Sequence, residues 1–160
     1  MRTITTLIAG SLTSLAWADT ILVEAEQFSQ RGGWMLDTQF IETMGSPYLN
    51  AHGMGKPVAA AETSVAIKTP GEYQVWVRTI DWSERLGRAE GAGSFSLAVN
   101  GNVVKESLGM GAPKWSWESA GSVKLEAGSA KLSLQDLTGF NARVDAIFLS
   151  SEAGAKPPEA

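Results

Sequence analysis

The sequence predicts an all-β protein, an antiparallel two-sheet β-sandwich of the jelly-roll kind. From Ile21 onward apolar and polar residues alternate at period two. Gly, Pro or Asn-Gly interrupts that pattern at roughly the eight- to twelve-residue spacing of a sandwich or barrel. Helical periodicity is nearly absent. With 160 residues, 44% hydrophobic and 19% charged, the chain suits one core of ordinary size.

Taken in order, Met1-Arg2, the uncharged run Thr3 to Leu15 and Ala16-Trp17-Ala18 have the three parts of an export signal, with the cut expected after Ala18. The apolar run is too short for a permanent span of the ~30 Å hydrocarbon layer, and no later segment approaches the length needed. Residues 19–150 then form the domain. Strands are expected at Thr20 to Phe28, Pro57 to Lys68, Glu72 to Ile80 after the Pro70-Gly71 turn, and Ser94 to Val99. Asn100-Gly101 is the dipeptide of a type I′ turn, so Asn102 to Glu106 should pair back as a hairpin. Trp115 to Glu118, Ser122 to Glu126, Ala130 to Gln135 and Arg143 to Ser150 complete a set of eight or more. Residues 151–160, with Gly154, Pro157 and Pro158, lack periodicity and are expected to be a linker or a frayed end.

Composition removes much chemistry. A formal charge of −4 and an isoelectric point near 5.0 oppose a phosphate-tracking surface, so no nucleic acid is expected. Without cysteine there is no disulfide framework, thiolate zinc site or thiol nucleophile, and a single histidine rules out a multi-histidine metal centre within the chain. Gly53-Met54-Gly55-Lys56 lacks the spacing and following helix of a phosphate loop, and Gly109-Met110-Gly111 lacks the third glycine of a dinucleotide site. A catalytic β-sandwich, a polysaccharide lyase or hydrolase, would need His52 or a pair among Asp81, Glu84, Glu90 and Glu118 to converge as acid and base. Solvated loop charges account for the same residues.

Alternation in Val23-Glu24-Ala25-Glu26 would put Glu24 and Glu26 on one side of a strand, two rises of ~3.3 Å apart. Such acids either face water or share a hard cation. Asp145, in the otherwise apolar run Val144 to Leu149, wants a partner if it is partly buried. Were the first and last strands neighbours, Glu24, Glu26 and Asp145 would converge and a structural calcium ion could pin the chain ends together.

The ordered set Ile21-Leu22-Val23-Glu24-Ala25-Glu26, Gly71-Glu72-Tyr73-Gln74-Val75-Trp76-Val77-Arg78, Val99-Asn100-Gly101, Trp115/Trp117 and Val144-Asp145-Ala146-Ile147 resembles carbohydrate-binding modules of families six and thirty-five over about residues 20 to 150. The resemblance implies a galactose-binding-like jelly roll without catalytic activity that tethers a secreted enzyme to polysaccharide. It also implies structural calcium on Glu24, Glu26 and Asp145. Met44-Gly45-Ser46-Pro47-Tyr48-Leu49, Ala51-His52-Gly53 and Asp136-Leu137-Thr138-Gly139-Phe140 further resemble the module at the N-terminus of some secreted FAD-dependent oxidoreductases. That implies an appended or docking module that carries no flavin itself.

A sugar site needs an aromatic platform for flat C–H faces and polar groups at its edge. Trp82, Trp115, Trp117 and Tyr48 are the candidate platforms, with Trp76 between valines assigned to packing. Trp115 and Trp117 would share a strand face, with at least one of them in the core. The resemblance implies that Trp115 and an asparagine hold the sugar. The candidate asparagine is Asn141, although it stands four residues before Asp145 instead of adjacent to it. Arg143 and Arg78 either read an acidic sugar or form cross-strand salt bridges.

Overall fold

A computed structural model describes residues 18–84, 87 and 92–159. The expected leader, apart from Ala18, and Glu90 lie outside the described residues. The architecture is the predicted all-β sandwich of two antiparallel sheets. The chain runs β1 (Thr20–Glu24), a 3-10 turn (Ala25–Gln27), β2 (Met35–Asp37), α1 (Ile41–Met44), β3 (Tyr48–His52), β4 (Ala61–Ile67) and β5 (Gly71–Thr79). It continues through β6 (Phe95–Val99), β7 (Asn102–Leu108), β8 (Ser116–Leu125), β9 (Gly128–Asp136) and β10 (Phe140–Ser150). One sheet has the order β2-β3-β10-β5-β8, with β1 also on β10, and the other has the order β4-β9-β6-β7.

Strand β10 organises the first sheet. Its first half pairs with β3 and its second half with β1, while β5 lies along its other side. The register against β5 shifts between Val144 and Ala146, so Asp145 sits in a bulge where β3 gives way to β1. The bulge changes the face that alternation selects. Ala142 and Val144 before it, and Ile147 and Leu149 after it, all enter the core. There they meet Tyr73, Val75 and Val77 from β5 and Phe95, Leu97, Val99, Leu132 and Leu134 from the opposite sheet.

Local pattern explains most boundaries. Asn100 and Gly101 have φ of +51° and +81°, as a type I′ turn requires, and Val99 pairs with Asn102 across it. The expected strand Thr20 to Phe28 stops at Glu24. Ala25 and Phe28 are both buried, and an i,i+3 pair shares a side of a 3-10 turn but not of a strand. Phe28 N–H accordingly donates to Ala25 O at 3.1 Å. The strand expected over Pro57 to Lys68 begins only at Ala61, because Val58 N–H goes to Asp136 Oδ2 and Ala59 O accepts from Gly33 N–H. Trp115 to Glu118 and Ser122 to Glu126 are not two strands. Ser116 to Glu118 and Ser122 to Leu125 belong to one strand, β8, whose pairing with β5 continues through a bulge at Ala120, and Trp115 and Glu126 lie just outside it. Trp76 faces outward, opposite the buried Val75 and Val77, and packs its ring 5.7 Å from Phe148.

Candidate functional site

Three loops at one end of the sandwich enclose a hollow of about 260 Å³ lined by His52, Met54, Trp82, Ser83, Ala92, Phe140 and Asn141. His52 ends β3, Trp82 and Ser83 follow β5, and Phe140 and Asn141 begin β10. The rim is tied down by backbone hydrogen bonds. Gly139 O accepts from Gly53 N–H at 2.9 Å and from Gly55 N–H at 3.2 Å. The Asp136 carboxylate accepts from Thr138, Gly139 and Val58 N–H groups, and Gly93 N–H donates to Thr138 Oγ1. Asp81 Oδ1 accepts from Ser83 N–H, Ser83 Oγ and Glu84 N–H, which fixes the turn carrying Trp82.

The guanidinium carbon of Arg143 lies 4.5 Å from the centroid of the Trp82 ring, and Arg143 Nη1 donates to Asn141 O at 3.2 Å. Arg143 is only 4% exposed. It therefore supports two pocket residues from beneath and does not present a fork to an acidic sugar. Trp82 also meets Phe40 edge-on at 5.4 Å. The hollow thus combines the apolar surfaces of Trp82, Phe140 and Met54 with the polar edges of His52 and Asn141. That is the mixture a pyranose face and its hydroxyl rim require.

The predicted ligand residues do not share one site. Trp82 and Asn141 line the hollow and Arg143 underlies it. Tyr48 is fully buried, 4.9 Å from Trp115, with its hydroxyl facing Asp37 and Arg143. Burial pushes its phenol up to about 12, Arg143 opposing the rise and the Asp37 carboxylate adding to it. It is buried on the outer face of the six-stranded sheet, opposite the inward-facing Leu49 and Ala51, because the rings of Phe40 and Trp115 cover it there. Trp115 precedes β8, packs edge-on to Phe40 and Tyr48, and borders a separate hollow of about 410 Å³ with Phe40, Ile80 and Lys114. Trp117 lies on the outer face of the six-stranded sheet, 6.2 Å from Phe148. It does not join Trp115, because Trp115 stands in the loop where strand alternation does not apply. Phe140 and Met54 were not anticipated, because the sequence carries no signal for them: period two from Ala142 and Val144 would point Phe140 inward, and the register shift between Phe140 and Ala142 leaves it exposed at the rim instead.

Of the carboxylates named for a hydrolase or lyase, two have other partners. Asp81 holds its turn, and Glu118 accepts from Gly109 and Gly111 N–H groups. Among the described residues no helix is long and apolar enough to cross a membrane.

The acids of the expected calcium site are drawn together by the pairing of β1 with β10. Burial raises the Glu24 carboxyl above its ordinary value, and the charges of Asp145 and Glu26 raise it further. Burial and Asp145 likewise raise Glu26, whose Oε2 is buried without a hydrogen-bond partner. Glu26, however, lies in the 3-10 turn and not on the strand face of Glu24. Asp145 Oδ2 is taken by Arg78 Nη1 at 2.8 Å, and Oδ1 accepts from Ser46 Oγ at 3.3 Å. Among the described residues no group of three His, Cys, Asp or Glu side chains is arranged to hold a metal ion. The arrangement present does not fit a three-carboxylate calcium site. Arg78, like Arg143, is committed within the fold.

No protein-family model matches the chain, and no curated protein matches it. Solved structures do. A family 35 carbohydrate-binding module from Clostridium thermocellum is 21% identical with a TM-score of 0.62, over 82% of this chain and 97% of that one. The C-terminal family 6 module of the laminarinase LamC from Zobellia galactanivorans is 18% identical with a TM-score of 0.59, over 82% and 98%. A β-(1,4)-mannanase from Podospora anserina that includes a family 35 module is 19% identical with a TM-score of 0.64, over 86% of this chain. This chain spans 29% of the length of that enzyme. Likeness at this identity shows the fold, the jelly-roll sandwich of carbohydrate-binding modules.

Proposed function

We propose that the chain is a non-catalytic carbohydrate-binding module, exported by its first 18 residues, that attaches a secreted protein to polysaccharide. One observation carries the reading. At the loop end of the sandwich, the partly exposed Trp82 and the exposed Phe140 share a hollow with His52, Ser83 and Asn141. Apolar ring surfaces set beside short polar groups match the two chemical faces of a sugar. Their backbone is held by Asp81, Asp136 and Gly139, so little ordering remains to be done on binding. The solved carbohydrate-binding modules of the same fold support the reading, and it requires no metal ion.

The test is a polysaccharide screen of the mature chain by affinity electrophoresis, repeated with Trp82→Ala, Phe140→Ala and, as a control outside the hollow, Trp117→Phe. Retention of one or more polysaccharides, lost in the first two variants and kept in the control, is the expected result. Hydrolysis or elimination of a retained polysaccharide would point instead to the catalytic sandwich. A chain that ignores every glycan and binds an FAD-dependent oxidoreductase domain would overturn sugar binding in favour of docking.

A further inference from the structure

A cluster away from the proposed sugar hollow contains three acids and one cation. Ala146 of β10 pairs with Glu24 of β1 on one side and with Arg78 of β5 on the other. Glu24, Ala146 and Arg78 therefore lie in one row across three strands, and the small alanine leaves room for the longer side chains to approach each other. Asp145, in the adjoining bulge, is 2% exposed. A carboxylate at that depth is costly unless a charge and hydrogen bonds compensate it. Both arrive from the chain itself. Arg78 Nη1 donates to Oδ2 at 2.8 Å, with side-chain exposures of 14% for Arg78 and 3% for Asp145, and Ser46 Oγ donates to Oδ1. The Arg78 charge also acts favourably on Glu24.

We infer that Arg78 is the built-in counter-charge of Asp145 and Glu24, and that it joins the two chain ends without calcium. A chelated cation would have to compete with Arg78 and Ser46 for Asp145, whose two oxygens already accept from β5 and from the loop before β3. A guanidinium also suits this position because it stays charged at every pH at which the protein folds. The fold is thereby independent of the cation supply outside the cell.

The experiment is thermal unfolding of the full mature chain in excess calcium chloride and in excess EDTA, with calorimetric titration of calcium alone. A cation bound only by the native state must raise the melting temperature. The expected result is superimposable transitions and no heat of binding. A lower transition in EDTA, or calcium bound at micromolar concentration, overturns the inference. Arg78→Met should lower the melting temperature in both solutions, and Arg78→Met with Asp145→Asn should recover part of that loss, because the second change removes the orphaned buried charge. A double variant no more stable than Arg78→Met would contradict the assigned pairing. Should Arg78→Met not fold, the calcium comparison on the unchanged chain decides alone.

Discussion

The guanidinium of Arg143 is stacked against the ring of Trp82, its carbon 4.5 Å from the ring centroid, and the same group donates to Asn141 O. A buried side chain thus sets the positions of two residues that line the proposed sugar hollow. Stacking of this kind is worth roughly 0.5–2 kcal/mol. Arg143→Met should therefore weaken retention by about two- to thirtyfold. It should also alter the near-ultraviolet circular dichroism of the tryptophans. Retention equal to that of the unchanged chain would show that Trp82 holds its pose without the arginine.

At the opposite end, Tyr73 places its hydroxyl 3.0 Å from Asp19 Oδ2 and 2.7 Å from Thr69 O, while Lys68 N–H donates to Asp19 Oδ2 at 2.8 Å. Burial pushes the Asp19 carboxyl up, but hydrogen bonds from Lys68 N–H and Tyr73 hydroxyl outweigh it and hold the group below its ordinary value. A carboxylate depressed in the folded state stabilises fully above its unfolded value, near 3.9, and this contribution disappears as pH falls through the lower folded value. Denaturant melts from pH 5 to pH 2 should show stability falling below about pH 4, with a shallower fall in Asp19→Asn. An unchanged slope in that variant would remove Asp19 as a source of the acid sensitivity. Tyr73→Phe should cost about 1–3 kcal/mol, because it takes a donor from a buried carboxylate.

Strand content was legible because the pattern is local. The hairpin at Asn100-Gly101 needs only two residues with positive φ between alternating strands, and both are present. The site was less legible because its members depend on register. Tyr48 and Trp82 look alike as loop-proximal aromatics, yet the rings of Phe40 and Trp115 cover the first on the outer sheet face while Asp81 fixes the turn that carries the second at the rim. The acid cluster shows the same limit. Alternation placed Glu24 and Glu26 on one face only if the strand continued, and the demand to bury both Ala25 and Phe28 ended it. That Arg78 would reach Asp145 followed from the β10 bulge, which period two alone does not reveal.

Gly139 should be a sensitive backbone position of the rim. Its φ is +72°, and a β-carbon there would lie 2.3 Å from Lys56 O and 2.4 Å from Lys56 N. The conformation alone costs a non-glycine residue about 1–2 kcal/mol. The clash would in addition push away the loop that carries Met54 and hydrogen-bonds to Gly139 O. Gly139→Ala should lower stability by more than the backbone cost and abolish polysaccharide retention together with it. A stable, fully binding Gly139→Ala chain would show that the two loops do not need this contact.

Trp117 donates its indole N–H to Pro158 O at 3.0 Å, so the described part of the C-terminal tail crosses the outer face of the six-stranded sheet. There Pro158 and Glu159 share a hollow with Leu22, Arg78 and Trp117. Nothing in the composition of residues 151–160 announces the contact, because a proline-rich end carries no periodicity and the bond uses a backbone carbonyl. Deleting residues 156–160 should leave this indole facing water, with a red-shifted tryptophan emission and a stability loss of about 0.5–1.5 kcal/mol. Trp117→Phe in the full chain should lose a similar amount. Because both changes remove the same hydrogen bond, combining them should cost less than the sum of the two, a non-additivity that denaturant melts of the four chains would measure. Additive losses would mean that the tail and the indole act separately, and that the strap across this face contributes nothing to stability.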